Sequence, residues 1–129
     1  MPTTEMRLHH LAFRTRDLAA LESFYAEVLA LPVLRRSDRS VWLDAEGTIL
    51  MLERSEPDEP TSDPRSMDLV CFGVTPGFLA RLAEVAIEGR TDSTLYFRDP
   101  DGRRIGVSAY PDTLGDVLSF GSRQRGSAR

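Results

Sequence analysis

The side chains that could do chemistry in this chain are few and widely spaced. His9 and His10 are adjacent near the start, Glu53 closes an apolar run, and Cys71 is the single thiol. Arg14, Arg98 and Arg104 interrupt strand-like stretches and share one face by parity. His10 can serve as a general base, a polar contact to a ligand or a metal ligand, because a neutral imidazole offers one donor and one acceptor. Three guanidiniums on one surface would take a carboxylate or phosphate, since each presents a planar fork of donors. Simpler roles stand beside these. His10 also fits a core histidine bonded to a neighbour, and Glu53 a solvated strand end. Arg98 and Arg104 flank a turn, from which they can reach into water. Trp42 and Tyr96 can stack on a ligand or fill core, and a free cysteine in an apolar strand is usually an inert small hydrophobe. No Ser–His–Asp or Cys–His arrangement is legible, no glycine-rich loop precedes a helix, and no basic stripe interleaved with aromatics points to nucleic acid.

The elements that must position these residues are readable from periodicity. "LHHLAFRT" alternates, placing His9, Leu11 and Phe13 on one face and His10, Ala12 and Arg14 on the other. Asp17 offers an N-cap, and Leu18, Leu21, Phe24, Tyr25, Val28 and Leu29 form the stripe of one helix stopped by Pro32. "LPVLRR" begins a strand, and "SVWLDAEGTILMLER" is a hairpin around Ala45, Glu46 and Gly47. Residues 54–66, "RSEPDEPTSDPRS", have three prolines, four acidic residues and no large apolar side chain, the composition of a linker or long loop.

Beyond it the order restarts. "DLVCFGV" is a strand, Thr75 an N-cap with Pro76 at the first helical position, and Phe78, Leu79, Leu82, Val85 and Ala86 a second stripe that Gly89 would end. "TLYFRDPDGRRIGVSA" is a hairpin turned at Pro100 and Gly102. Setting "HLAFRT" over "LVCFGV" aligns Phe13 with Phe72, so a strand–helix–strands unit occurs twice. Only "GRTDST" separates the second helix from its hairpin, which leaves the second unit shortened. Gly106, inside the last strand, packs nothing and marks a bulge or a close approach.

Composition bounds the reading. The chain has 129 residues, 41% of them hydrophobic, enough for one domain of modest core. A net charge of -4 and a pI of about 5.2 argue against general binding to nucleic acid or membrane surfaces. The lone cysteine excludes an intrachain disulfide and fits a reducing cytoplasm, and no apolar run approaches spanning length. The polar start, "MPTTEMR", is unlike a signal peptide, and the tail "GSRQRGSAR" has the composition of a disordered end.

"HHLAFRTRDLAALESFYAEVLALPVL" and "YFRDPDGRRIGV" resemble the opening strand–helix and closing hairpin of the vicinal oxygen chelate superfamily, which includes glyoxalases, bleomycin-resistance proteins and extradiol dioxygenases. The resemblance implies an α+β fold. Two βαβββ modules would form a cupped, mixed, mostly antiparallel sheet with helices on its convex side. Module one would span 7–53, the linker 54–66, module two 67–110 and the tail 111–129, all within a single domain. It also implies a dimer, and in the family's enzymes a divalent metal whose open positions bind substrate oxygens.

Carrying the metal positions over leaves little of the chelate. The first falls on His10, the second on Met51, the third on Leu69 and the fourth, a glutamate in relatives, on Gly106. A divalent ion wants three or four N or O donors, which Met, Leu and Gly side chains do not supply. His10 with Glu53 would give two donors, and Cys71 on the face of Leu69 could add a third. The expectation is therefore a dimeric cytoplasmic protein, more a binder than an enzyme. It would hold a small, anionic organic molecule in a metal-free cup, with no nucleic-acid or membrane partner. His10, Arg14, Trp42, Met51, Glu53, Leu69, Tyr96, Arg104 and Gly106 would line the site, and Arg14 with His10 would position the anion. Two alternatives stand: a metal-dependent lyase, isomerase or dioxygenase whose site is completed across the dimer, and a non-catalytic interaction module.

Overall fold

The computed structural model describes residues 5–82 and 85–115. The chain divides into two compact units, Met1–Thr61 and Ser62–Arg129, each built on a four-stranded sheet. The first unit holds β1 (His10–Thr15), α1 (Leu18–Glu22), β2 (Val33–Arg36), β3 (Ser40–Ala45) and β4 (Thr48–Arg54) in the order β1-β4-β3-β2. The second holds β5 (Leu69–Gly73), α2 (Pro76–Arg81), β6 (Gly89–Arg90), β7 (Thr94–Arg98) and β8 (Arg104–Ser108) in the order β5-β8-β7-β6. In each sheet the first strand pairs parallel with the last and the other pairings are antiparallel. The fold is α+β, with the same strand–helix–strand–strand–strand order in both units.

In the first unit, alternation decides which face is core. Phe13 of β1, Val41 and Leu43 of β3 and Leu50 and Leu52 of β4 are buried on the helix side. Leu18, Leu21, Tyr25 and Leu29 complete that core, with the Phe13 and Tyr25 ring centroids 5.8 Å apart. Burying one such side chain contributes about 1.5–3 kcal/mol. Asp17 caps α1 by accepting from the Ala20 amide at 3.0 Å. The single expected helix is two segments. After α1 the backbone continues as a π-helical stretch, Ser23–Val28, closed by the Leu29 amide donating to the Phe24 carbonyl at 3.0 Å. A longer turn keeps Tyr25 and Leu29 pointed at the core while the helix ends before Pro32. The β3–β4 hairpin turns through Glu46 and Gly47, both at positive φ, and Asp44 accepts from the Gly47 amide.

The second unit buries Leu79, Leu95, Phe97, Ile105, Val107, Ala109 and Leu114. Thr75 caps α2 through the Phe78 amide, but the helix is only six residues long and Leu82 has already left helical geometry. Gly89, expected to end that helix, lies instead in β6, opposite Tyr96. The second strand of this module is thus present as two residues.

At the β7–β8 turn, buried Asp99 accepts from the amides of Asp101 and Arg103, and Gly102 takes φ +88°. Pro64 covers Gly102 so closely that a Cβ there would lie 2.8 Å from the proline Cβ. The acidic proline-rich segment is therefore tied down at both ends. Ser55 donates to the Thr15 carbonyl at 2.8 Å, and the Ser66 carbonyl accepts from Arg98 at 3.0 Å. Of the tail expected over 111–129, residues 111–115 are described and carry the buried Leu114, and residues 116–129 lie outside the described residues.

Candidate functional site

Each sheet has one face toward its helix and core and one face away from them, and the sequence-identified residues lie on the latter. In the first unit, register places His10 beside Ile49, Ala12 beside Met51 and Arg14 beside Glu53, while Trp42 pairs with Met51 from the other side. In the second, Leu69 pairs with Arg104 and Cys71 with Gly106, and Tyr96 pairs with Gly106 across β7. All nine expected residues occupy these two faces.

His10 is exposed and not a core histidine. Its Nδ1 lies 3.0 Å from Nδ1 of His9, also exposed, so one ring donates and the other accepts. The Trp42 ring carries the Arg35 guanidinium at 4.7 Å, a cation–π contact that occupies one ring face. Arg14 is engaged by two carboxylates. Its Nε donates to Glu59 Oε2 at 3.0 Å, its Nη2 bonds the other Glu59 oxygen, and its Nη1 donates to Glu53 Oε1 at 3.3 Å. The Arg14 bonds, aided by the Glu56 amide, hold the Glu59 carboxyl at about 2, and Glu59 and Glu53 in turn raise Arg14. Arg16 secures the same segment through the carbonyls of Pro57 and Glu59. An anion seeking Arg14 must therefore displace carboxylates already in place.

The second face is organised around Arg104. Its guanidinium lies 4.3 Å from the Tyr96 ring centroid, its Nε is 3.6 Å from Glu88 Oε2, and that Nε is buried without a hydrogen-bond partner. Arg98 holds Glu88 through two bonds, to Oε1 at 2.7 Å and Oε2 at 3.1 Å. These contacts, from Arg98 first, lower the Glu88 pKa. Gly106 is buried although it faces away from the core, because its neighbours close over it. A Cβ there would meet Cys71 Sγ at 3.2 Å, and Leu69 Cδ1 and the Leu95 carbonyl at 3.4 Å. The glycine accommodates a close approach by side chains of its own sheet and leaves no added space there. Cys71 is exposed as a residue, and the partial desolvation of its thiol raises its pKa. Thr94 and Ser108 share a 2.8 Å hydroxyl bond on the same face.

Glu59 belongs to the first face and Glu88 to the second, and neither was legible in the sequence. Neither has a spacing signal, since Glu59 sits in a linker-like run and Glu88 pairs through a strand too short to read as one.

The architecture is that of a known family. The family model described as Glyoxalase/Bleomycin resistance protein/Dioxygenase superfamily matches residues 7–87, and the chain belongs to that family, within the vicinal oxygen chelate superfamily. It is 25% identical over 135 residues to "Metallothiol transferase FosB" of Lysinibacillus sphaericus, covering 95% of this chain and 94% of the relative. Among solved structures it is similar to a glyoxalase/dioxygenase from Nostoc punctiforme, with 25% identity and a TM-score of 0.65 over 78% of this chain and 88% of that one. It also shares its fold with a lactoylglutathione lyase from Agrobacterium tumefaciens, at 19% identity and a TM-score of 0.61, over 84% and 95% of the two chains.

The superfamily implies a divalent metal, and the residues here do not fit one. Of the four positions that the family resemblance would assign to the chelate, only His10 carries a suitable donor, and among the described residues no three His, Cys, Asp or Glu side chains group to hold an ion. The alternative pair, His10 and Glu53, does not come together either. Glu53 is four residues along β4 from Ile49, the neighbour of His10, a separation of about 13 Å at the usual strand rise.

Proposed function

We propose that this chain is a receptor for a small anionic organic molecule and holds it without a metal of its own. The observation that carries this reading is the exchange at the chelate positions, with Met51, Leu69 and Gly106 in place of donors, beside a guanidinium on the same donor-poor face as two of them. His10, Trp42, Met51, Glu53 and Arg14 would serve from the first sheet, and Leu69, Tyr96, Arg104 and Gly106 from the second. Cytoplasmic location and a homodimer belong to the same reading. Screening simple carboxylates and phosphates by thermal shift tests it. Stabilisation that persists in excess EDTA is expected. Stabilisation by no anion, or only after a divalent ion is added, would remove the reading.

A second reading has one supporting observation. The FosB relative is named a metallothiol transferase and aligns along nearly the whole chain. A metal-dependent enzyme of that kind would need donors from a partner chain, and a stoichiometric ion in the purified protein would favour it.

A further inference from the structure

Two guanidiniums on the second sheet share one carboxylate among the described residues, and only one of them is satisfied. Arg98 meets Glu88 with a full fork, and its Nη1 donates to the carbonyls of Ser66 and Gly102 at 3.0 and 3.1 Å. Arg104 reaches the same carboxylate only at 3.6 Å, outside hydrogen-bond range. Its side chain is 18% exposed and Tyr96 covers one face of the guanidinium, yet its buried Nε donates to nothing. A buried donor left unmade is costly, and a charged one more so. Arg98, Arg104 and Glu88 together leave one positive charge in excess.

We propose that Arg104 receives the carboxylate of a singly charged organic acid with an apolar body, completing a neutral quartet of two guanidiniums and two carboxylates. This rests on the reading that the chain binds small anions and adds the anchor, the charge and the shape of the ligand. One carboxylate balances the excess. A second negative charge would stand beside Glu88, which Arg98 fixes in place, and like charges at that range repel. The neighbouring residues on the face supply apolar contact. Leu69, paired with Arg104, is 39% exposed, and Gly106 adds no side chain beside it. A carboxylate is also the geometric match to a guanidinium edge, accepting from the two Nη groups in parallel while Nε stays turned toward Glu88.

The test uses the full chain labelled with 15N-arginine and three probes: benzoate, phthalate and benzamide. The Arg104 Nε–Hε signal is assigned by its loss in Arg104→Lys. Benzoate should shift that signal downfield and bind roughly tenfold more tightly than phthalate, the scale of one close like-charge contact screened nearly as in bulk water. Benzamide should not move it. Glu88→Gln should narrow or reverse the benzoate preference, and this variant keeps the test decisive if Arg104→Lys fails to fold. Equal binding of benzoate and phthalate, an unchanged ratio in Glu88→Gln, or benzoate binding with Arg104 unmoved would overturn the proposal while leaving the chain an anion receptor. Binding of no anion by any readout would overturn both.

Discussion

Position 106 is where the family resemblance would place a chelating glutamate, and its surroundings predict the effect of adding a side chain. In Gly106→Ala the new Cβ would meet Cys71 Sγ at 3.2 Å, tighter than ordinary contact, while the Leu69 and Leu95 atoms at 3.4 Å are tolerable. Two effects oppose each other. Replacing a strand glycine reduces the entropy of the unfolded chain, a gain of about 0.4–1 kcal/mol. Overpacking a filled site costs about 1–3 kcal/mol. The net expectation is a loss of about 1 kcal/mol, or roughly 3–4 °C in Tm for a chain of this size. Because the offending atom is the thiol sulfur, Cys71→Ala should remove most of the cost. Gly106→Ala made in the Cys71→Ala background should be neutral or slightly stabilising, a coupling of about 1 kcal/mol. Urea titration of the four proteins measures the cycle. If Gly106→Ala costs the same with and without the thiol, or costs nothing in wild type, the close packing of Cys71 over Gly106 is refuted. Open space at that position would then return as the explanation of the glycine.

Gly102→Ala should cost about 2–3 kcal/mol, combining a left-handed backbone at φ +88° with displacement of Pro64, and denaturant unfolding would read it; a neutral outcome would mean that Pro64 is not seated there. The clasp between Glu59 and Arg14 should show in the pH dependence of stability. Glu59 is held at about 2, below the usual carboxylate range, so between about pH 4.5 and 2 the unfolded chain binds more protons than the folded one, and the clasp's contribution falls as pH drops through that window. The Tm gap between wild type and Glu59→Gln, present at pH 6, should therefore close on acidification, and a constant gap would contradict the assignment.

The parts of this fold that were legible in sequence share a physical cause. β1, the β3–β4 hairpin and the β7–β8 turn are written in local alternation and turn chemistry, as Phe13 and Thr15 on one face and Asp99 with Gly102 at the turn demonstrate. Helix length was less legible. Val85 and Ala86 extend the period of α2 on paper, but the helix ends at Arg81, and the chain instead brings Gly89 against Tyr96 as a strand. The stretch after Glu22 keeps its apolar stripe while changing from α to π, because the stripe specifies which face is buried and not the turn closing it.

The site was half legible for a related reason. Parity placed Arg14, Arg98 and Arg104 on the faces where they stand. Which of them has a free donor depends on Glu59 and Glu88, whose pairing is set by tertiary placement and leaves no mark in local spacing. Arg14, the expected anchor, is occupied, and Arg104 is the guanidinium with a donor to give.

Metal content decides whether this anion site works without an ion. Protein purified without chelators, analysed by mass spectrometry for Mn, Fe, Ni, Cu and Zn, should carry well under one ion per chain, and benzoate should stabilise it equally before and after EDTA. One ion per chain, lost together with anion binding on His10→Ala, would overturn the metal-free receptor and return the protein to the metal-dependent branch of its family.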